Sequence, residues 1–239
     1  MAMLLAVDTS TARLGLAFYD GSQVLAESLW VSRARHTIEL APALSELFKR
    51  TGMSLDEVSA VGVALGPGSF TSLRVGLSFV KGLALARKLA LVGIPTLDVV
   101  AALRPVTELP MAALLPAGRG RLAVGWYETE GNTRQPKGSP SVTTAEMLSE
   151  SIVRPTLVCG ELSADEREIL SKNKHVSLLS PAQCVRRPGI LAELAYLRSQ
   201  AGESDNVAAL APFYLHIGQP LLESASGTLP VDASGTLPA

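Results

Sequence analysis

Residues that could carry chemistry are concentrated first in the run Asp8-Thr9-Ser10-Thr11, which follows a short apolar segment. This pattern predicts the turn of a strand-turn-strand unit. Hydroxyls and backbone N–H groups in such a turn can hold phosphate, and an aspartate there can position a metal-bound water. The same side chains could do no more than satisfy a hairpin turn. Asp8, Thr9 and Ser10 are therefore candidate phosphate contacts with a structural alternative.

A second candidate is the glycine-rich run GPGSFT at residues 66–71. Glycine adopts backbone angles closed to other residues, and Ser69 or Thr71 can cap a following helix whose N-terminus favours anions. Gly68 and Ser69 are thus further candidate phosphate contacts. No Gly-Lys-Ser/Thr follows as in a Walker A loop, and Thr71 stands where a nucleophile elbow needs glycine. A structural helix cap is favoured over a catalytic serine.

Metal chemistry has little support in the sequence. The chain has three histidines. A metal pair on a helix needs a second ligand four residues after the first, and four residues after His36 stands Leu40. Cys159 and Cys184 lack zinc-site spacing and are expected to be buried thiols. We predict no metal site and a helix that begins near His36.

The elements that must position these residues follow from hydrophobic periodicity. The first hundred residues predict the order β-β-β-α-β-α-β, which indicates a mixed sheet with helices on its faces. Residues 60–65 are continuously apolar, as is typical of a strand buried on both faces. The predicted strands are 3–7, 14–19, 23–31, 60–65 and 91–94, and the predicted helices are 36–50 and 69–89.

In the second half of the chain the predicted strands and helices are shorter and their hydrophobic periodicity is less regular. It predicts strands at 111–115, 122–128 and 156–159, a polar loop over 129–141, and helices from Thr144, over 163–171 and over 188–200. The last residues repeat SGTLP, a composition that buries little surface and predicts disorder. The expected domains are a first lobe at 1–98, a smaller second lobe at 99–222 and a tail at 223–239.

The predicted helix from Phe70 to Leu89 is apolar on more than one face, so we expect it to be buried on more than one face. One stripe can cover the sheet, while the other is either core or a protein–protein interface. An interface is favoured because the helix at 36–50 offers a matching apolar stripe; which face meets a partner stays open. The candidate interface residues are Leu40, Leu44, Leu47, Ser72, Leu73, Gly76, Leu77, Phe79, Val80 and Leu83.

Composition narrows the function classes. The 239 residues are 47% hydrophobic and 18% charged, as expected of a globular chain. The formal net charge of −1 does not suggest a protein that grips nucleic acid alone, since phosphate neutralisation needs a basic patch. The N-terminus lacks the features of a signal peptide and no apolar run is long enough to span a membrane. We expect a cytoplasmic protein.

Together these motifs resemble the TsaB (YeaZ) family. The resemblance is carried by DTST at 8–11, HTIEL at 36–40, GPGSFTSLRVG at 66–76 and KGLA at 81–84, and it is strong over residues 3–100. It implies an actin-like, Hsp70-like fold (ASKHA, ribonuclease H-like) of two α/β lobes. It also implies a non-catalytic scaffold that pairs with TsaD, the catalytic paralogue, to make N6-threonylcarbamoyladenosine beside the anticodon of tRNA.

Further expectations come from the same resemblance. The partner is met through the helices of the first lobe, a TsaE-type ATPase takes part, and tRNA is contacted only indirectly. No cofactor is expected on this chain alone, any ATP or ADP is expected at the partner junction, and two copies could pair in isolation. TsaD binds metal through a His-x-x-x-His pair, which here has Leu40 as its second member.

The chain departs from the family pattern in two places. The usual Asp-Ala-Arg segment becomes Pro116-Ala117-Gly118, and the terminal Pro-x-Tyr-x-Arg pattern ends in His216; any role of these positions is open. Two alternative functions remain. A stand-alone actin-fold ATP-dependent small-molecule kinase would need a second phosphate loop, and a glycoprotease-like peptidase would need a metal pair or an activated serine.

Overall fold

The computed structural model describes residues 3–33, 35–103, 105–131 and 133–215. Its first sheet is built from the first hundred residues, in the predicted order of strands and helices. A short 3-10 turn with a Ser54–Glu57 capping box precedes the fourth strand. The elements are β1 (Met3–Asp8), β2 (Arg13–Tyr19), β3 (Val24–Val31), α1 (His36–Thr51), β4 (Val58–Ala64), α2 (Phe70–Arg87) and β5 (Ala90–Ile94).

This first sheet has the strand order β3-β2-β1-β4-β5. β1, β2 and β3 form an antiparallel meander, and β4 and β5 run parallel to β1. In the central register Leu5 lies opposite Phe18 on one side and Val61 on the other. All six residues of β1 are buried. The predicted mixed sheet with helices on its faces is confirmed.

The rest of the described chain adds a second sheet and four α-helices. The elements are α3 (Thr96–Ala101), β6 (Met111–Pro116), β7 (Leu122–Glu130), β8 (Thr133–Pro136), β9 (Ser141–Thr143), α4 (Ala145–Ser151), β10 (Thr156–Gly160), α5 (Ala164–Ser171), β11 (Val176–Leu178) and α6 (Pro188–Gln200). The second sheet repeats the arrangement of the first with the order β11-β10-β6-β7-β8, and β9 pairs with β7. β6, β7 and β8 are antiparallel neighbours, and β10 and β11 run parallel to β6. The two-lobed α/β architecture is therefore confirmed.

The helix α6 returns to the first sheet. Leu191, Ala192 and Ala195 are fully buried against Leu4 and Ala6 of β1. The odd residues of β1 face α1 and α2 on the other side, because successive strand side chains point to opposite faces. The prediction placed residues 99–222 in the second lobe. The packing instead assigns α6 to the first, since a helical pattern does not tell which sheet will cover it.

The chain therefore crosses between the lobes twice, through α3 on the way out and just before α6 on the way back. The segment after α6 stays with the first lobe, where the Asp205 amide donates to the Leu91 carbonyl at 2.7 Å and the Phe213 amide to the Leu65 carbonyl at 2.7 Å. Both crossings lie near the carboxyl end of β1. The candidate phosphate contacts lie at that junction, and the candidate interface residues lie on α1 and α2.

Two further predictions met different outcomes. The polar run 129–141 was predicted as a loop, but Thr133–Pro136 pairs with the end of β7 as a short, mostly exposed strand. The polar sequence of this strand did not predict it, because an exposed edge strand has few apolar residues. The predicted tail at 223–239 and His216 lie outside the described residues. Within the described ranges, no helix is long and apolar enough to cross a membrane.

Candidate functional site

The turn after β1 is buried and satisfied from within the chain. Asp8, Thr9 and Ser10 are at most 2% exposed. Asp8 Oδ1 accepts hydrogen bonds from the Ser10 amide at 2.9 Å and the Ser10 hydroxyl at 2.6 Å. The Thr9 hydroxyl donates to the Ser72 carbonyl of α2 at 2.7 Å. The Thr9 bond holds the turn to α2, and the Ser10 bond closes the turn on itself. Both hydroxyls that were predicted to contact phosphate are thus engaged within the chain.

The glycine-rich run allows this close approach. The Ser69 amide donates to the Ser10 carbonyl at 2.7 Å, and a Cβ on Gly68 would lie 2.1 Å from that carbonyl oxygen. A Cβ on Gly76 would lie 2.2 Å from the Thr9 hydroxyl. Ser69 caps α2 through its hydroxyl. The structure brings the five candidate phosphate contacts together. Ser10 bonds both Asp8 and the Ser69 amide, Gly68 packs against the Ser10 carbonyl, and Thr9 bonds α2. Their role as phosphate contacts stays a prediction.

A buried ionic cluster at the same point was not predicted. Arg186 is 1% exposed and is the largest fully buried side chain of the described residues. Its Nε donates to Asp8 Oδ2 at 2.6 Å, and its two terminal nitrogens donate to Glu161 Oε1 at 2.5 Å and Thr11 Oγ1 at 3.1 Å. Asp8 was the only residue whose sequence position indicated such a cluster, since an aspartate directly after a buried strand requires a hydrogen-bond donor or a cation.

The charges of this cluster stabilise one another. Burial raises the pKa of Asp8, but the Arg186 guanidinium and the hydrogen bonds from Arg186 and Ser10 outweigh burial and hold that pKa below its usual value. Burial likewise lowers the pKa of Arg186, while the Asp8 and Glu161 carboxylates raise it overall. Asp8 and Arg186 are therefore both ionised at neutral pH.

His36 is the first residue of α1, as predicted, and it is buried. Its Nδ1 lies 3.4 Å from the Ser72 hydroxyl and its Nε2 lies 3.4 Å from the Arg13 carbonyl oxygen. Leu40, one turn later, is in the core. Among the residues that the structure describes, no group of three or more His, Cys, Asp or Glu side chains could hold a metal ion.

The predicted interface residues divide into two sets. Phe79 and Leu83 are half-buried and reach the surface of α2. The other eight pack inside the first lobe, because α1 and α2 use the same stripe to cover each other and the sheet. The interface itself stays a prediction. These eight side chains are buried and expose little surface, although Leu40 lines the groove between α1 and α2 and Leu44 lines a second groove beside α1. The inward set is Leu40, Leu44, Leu47, Ser72, Leu73, Gly76, Leu77 and Val80.

The surface between the two helices is lined by Leu40 and Phe79 of the predicted set and by other side chains. A groove of about 500 Å³ runs between α1 and α2, and we call it the α1/α2 groove. Exposed apolar side chains lie along these helices, with Phe70 at 52%, Ile38 at 59% and Leu85 at 70%. An exposed apolar strip of this kind is typical of a protein-binding surface. The groove is lined by Thr37, Leu40, Ala41, Phe70, Thr71, Arg74, Val75, Ser78 and Phe79.

One end of the groove is closed by an aromatic and cationic cluster. The Arg74 guanidinium lies 3.6 Å from the centroid of the Phe70 ring, and Arg74 Nε donates to the Tyr214 hydroxyl at 3.1 Å. The Phe70 and Tyr214 rings are 4.9 Å apart. Arg and aromatic side chains are enriched among the residues that carry binding energy at interfaces. Sequence reasoning singled out the apolar stripes and missed Arg74 and Tyr214.

The departures from the family pattern have local structural roles. Pro116 ends β6, and Gly118 has a φ of 74° in the turn between β6 and β7. The Ala117 amide donates to the Arg121 carbonyl at 2.7 Å across this turn. A positive φ favours glycine, which accounts for Gly118. No ligand role follows from these contacts.

Comparisons with known proteins agree with one another. The family model described as TsaD, tRNA N6-adenosine threonylcarbamoyltransferase, matches residues 24–179. The tRNA threonylcarbamoyladenosine biosynthesis protein TsaB of Bacillus subtilis is 28% identical over 222 residues, which are 90% of this chain and 95% of that protein. The Escherichia coli TsaB is 30% identical over 131 residues, 54% of this chain and 56% of its own.

Among solved structures, YeaZ from Pseudomonas aeruginosa matches with a TM-score of 0.73. The match has 23% sequence identity and covers 90% of this chain and 100% of that one. At this identity the likeness shows the fold. The actin-like two-lobed fold expected from the sequence is thereby confirmed.

Proposed function

The chain belongs to the TsaB (YeaZ) family, within the wider TsaD family, and from this premise we propose that it is the non-catalytic subunit that pairs with TsaD. In this role it takes part in the N6-threonylcarbamoyladenosine modification of tRNA beside the anticodon. It supplies a binding surface that stabilises and activates TsaD, and the chemistry belongs to the partner.

The observation that carries this proposal is the α1/α2 groove. Phe70 lines this groove, and Ile38 and Leu85 expose further apolar surface on the same two helices, whose opposite faces are packed in the core. Burying such surface against a second protein is favourable by roughly 25 cal/mol per Å² of apolar area. The Arg74 and Phe70 stack offers the aromatic and cationic side chains that dominate many interfaces. A helical face of TsaD is the partner that this surface fits.

Three features support a non-catalytic role. His36 is buried and contacts Ser72 and a backbone carbonyl. Leu40 occupies the position where a helical metal pair needs its second ligand. The hydroxyls of Thr9 and Ser10 are engaged in internal bonds. A site that lacks both an accessible nucleophile and a metal pair supplies neither of the usual means of group transfer.

The remaining partners follow from the same proposal. A TsaE-type ATPase joins the complex, and ATP or ADP binds at the junction with a partner. The tRNA is held mainly by the other subunits, since a net charge of −1 gives this chain little non-specific affinity for phosphate. Without TsaD, the same groove can pair two copies of the chain.

Reconstitution tests the proposal. The chain and its cognate TsaD, each purified alone, are mixed and analysed by gel filtration with light scattering. Formation of N6-threonylcarbamoyladenosine is then followed by mass spectrometry of tRNA incubated with an activated threonylcarbamoyl donor, TsaD and TsaE, with and without this chain. We expect a stable complex and modification that depends on the chain. Two separate peaks and chain-independent modification would sink the proposal, and ATP turnover by the chain alone would favour the kinase alternative.

A further inference from the structure

We propose that Asp8, Arg186 and Glu161 form a clasp that fixes the orientation of the two lobes and fills the cleft between them with the chain's own guanidinium. We call these three residues the interlobe clasp. The proposal does not depend on the function proposed above, because it concerns the chain alone.

The three members come from three different parts of the fold. Asp8 ends β1 of the first sheet, and Glu161 directly follows β10 of the second sheet. Arg186 lies on the return crossing, two residues before α6 begins. Its Nε bonds Asp8 at 2.6 Å and a terminal nitrogen bonds Glu161 at 2.5 Å. One side chain therefore binds a carboxylate from each lobe.

A second contact closes the same junction. The Thr11 hydroxyl donates to Glu161 Oε1 at 3.2 Å and accepts from Arg186 at 3.1 Å. Thr11 follows β1, so this bond also joins the first lobe to the second. The Arg186 and Asp8 side chains are 1% and 3% exposed, and that of Glu161 is 15% exposed. Water thus has little access to the charges that hold the lobes together.

The energetics favour a role in geometry. Replacing a buried ion pair by apolar residues is often neutral or stabilising, whereas removing one partner is strongly destabilising. A clasp of this kind therefore specifies one arrangement more than it adds net stability. If the lobes rotated apart, Arg186 would lose one of its carboxylates and leave a charge without its partner.

The same cluster makes the cleft a poor phosphate site. A phosphate at the turn after β1 would meet the carboxylates of Asp8 and Glu161, and Arg186 already directs its donors at those two groups. Thr9 and Ser10 would have to release their internal bonds. Nucleotide phosphate is therefore excluded from this cleft while the clasp is closed.

Interlobe distances measured by pulsed electron spin resonance test the clasp. Spin labels are placed at Ser45→Cys on α1 and Glu150→Cys on α4, both exposed positions in different lobes. The native thiols Cys159 and Cys184 are buried. The test variant is Arg186→Met, and the control is Arg187→Met. The native Arg187 side chain is 57% exposed and pairs with Glu27 within the first lobe.

We expect a narrow distance distribution in the wild-type chain and in Arg187→Met, and a broader or shifted one in Arg186→Met. If Arg186→Met does not fold, Glu161→Gln replaces it, because it removes only the charge that the second lobe contributes. A distribution unchanged from wild type in the folded variant would overturn the clasp.

A second measurement tests the closed cleft. Amide resonances of Thr9, Ser10 and Thr11 are followed by nuclear magnetic resonance while MgATP is added to the isolated wild-type chain. We expect no saturable shift at these three amides, since their surroundings are buried and satisfied. Saturable shifts confined to them would overturn the proposal that the clasp excludes phosphate.

Discussion

Arg186 Nε donates a hydrogen bond to Asp8 Oδ2 at 2.6 Å, although the two residues are 178 positions apart in the sequence. Asp8 stands in the motif most suggestive of phosphate chemistry, and its actual partner is a guanidinium of the same chain. The bond gives the Asp8 carboxylate a structural role at the junction of the two lobes. It also makes the stability of the protein depend on the ionisation of Asp8.

The acid limb of stability should therefore contain a contribution from Asp8. The pKa of Asp8 in the folded protein lies below its ordinary value, so its contribution is fully present above about pH 4 and is lost as the pH falls through the folded pKa. We expect Asp8→Asn to lower the free energy of unfolding at neutral pH and to flatten its decline in acid. Urea unfolding between about pH 3 and pH 7 measures both.

Glu168 is the control for this effect. Lys172 also lowers the pKa of Glu168, through a hydrogen bond first and charge second, but the pair is at the surface. Surface pairs contribute little because water screens them. Glu168→Gln should change the pH profile much less than Asp8→Asn, and equal profiles for the two variants would contradict a role for burial.

Binding to TsaD should depend on the half-buried aromatic side chain in the α1/α2 groove. Phe79→Asp places a charge where the partner is proposed to exclude water, and we expect about a thirtyfold weaker Kd, or roughly 2 kcal/mol. Calorimetric titration against TsaD measures it. Met147→Asp on α4 is the control, since Met147 is also exposed but lies in the second lobe. Equal affinities of the wild-type chain, Phe79→Asp and Met147→Asp for TsaD would rule out the groove as the interface.

Leu77 gives the opposite result although it is only two residues from Phe79. Its side chain is 5% exposed and packs in the core of the first lobe. Leu77→Asp would bury an unpaired carboxylate, so we expect it to lower the free energy of unfolding by about 3 kcal/mol or more. Phe79→Asp should cost clearly less, because Phe79 reaches solvent. Thermal unfolding of both variants measures this, and similar midpoints would mean that the division between inward and outward faces is wrong.

Much of the first lobe could be predicted because its elements carry strong local signals. The continuous apolar residues of β1 and β4 and the spacing along α1 predicted their types and nearly their bounds. Pro188 at the first position marked the start of α6, since proline needs no partner for its missing N–H there. The short strands β8 and β11 have no such pattern.

The relations between distant elements could not be predicted. The pattern of α6 predicts a helix, but not that Leu191 and Ala195 cover the first sheet. Leu40 on α1 and Leu77 on α2 belong to apolar stripes that could face either a partner or the core. Their packing with β1 shows that both face the core. The role of Arg186 could not be predicted for the same reason, because the two carboxylates that it binds, Asp8 and Glu161, lie far from it in the sequence.

The link between α3 and the second sheet provides another test. The Tyr127 hydroxyl donates to Asp98 Oδ1 at 2.6 Å. Burial raises the pKa of Asp98, and this hydrogen bond offsets part of the rise. Tyr127→Phe removes the donor, so we expect a loss of about 1–3 kcal/mol in the free energy of unfolding and a further rise in the pKa of Asp98. Urea unfolding and carboxyl resonances measure these changes, and Tyr19→Phe on the first sheet serves as a comparison.

Two glycines of α2 separate the structural role of the glycine-rich run from simple flexibility. A Cβ on Gly76 would lie 2.2 Å from the Thr9 hydroxyl, whereas a Cβ on Gly82 meets nothing within 4 Å. Alanine favours a helix over glycine by roughly 1 kcal/mol. We expect Gly82→Ala to stabilise the protein and Gly76→Ala to destabilise it, as measured by urea unfolding.

A double variant identifies the cause. Thr9→Ala removes the hydroxyl oxygen and the methyl carbon that crowd position 76, and the remaining Thr9 Cβ lies 3.2 Å from the added atom. The cost of Gly76→Ala should therefore shrink in the Thr9→Ala background, giving a coupling free energy of about 0.5–3 kcal/mol. The Gly82→Ala effect should be the same in both backgrounds. Equal effects of Gly76→Ala and Gly82→Ala, or a coupling of zero, would mean that α2 can move away from the turn after β1 without cost.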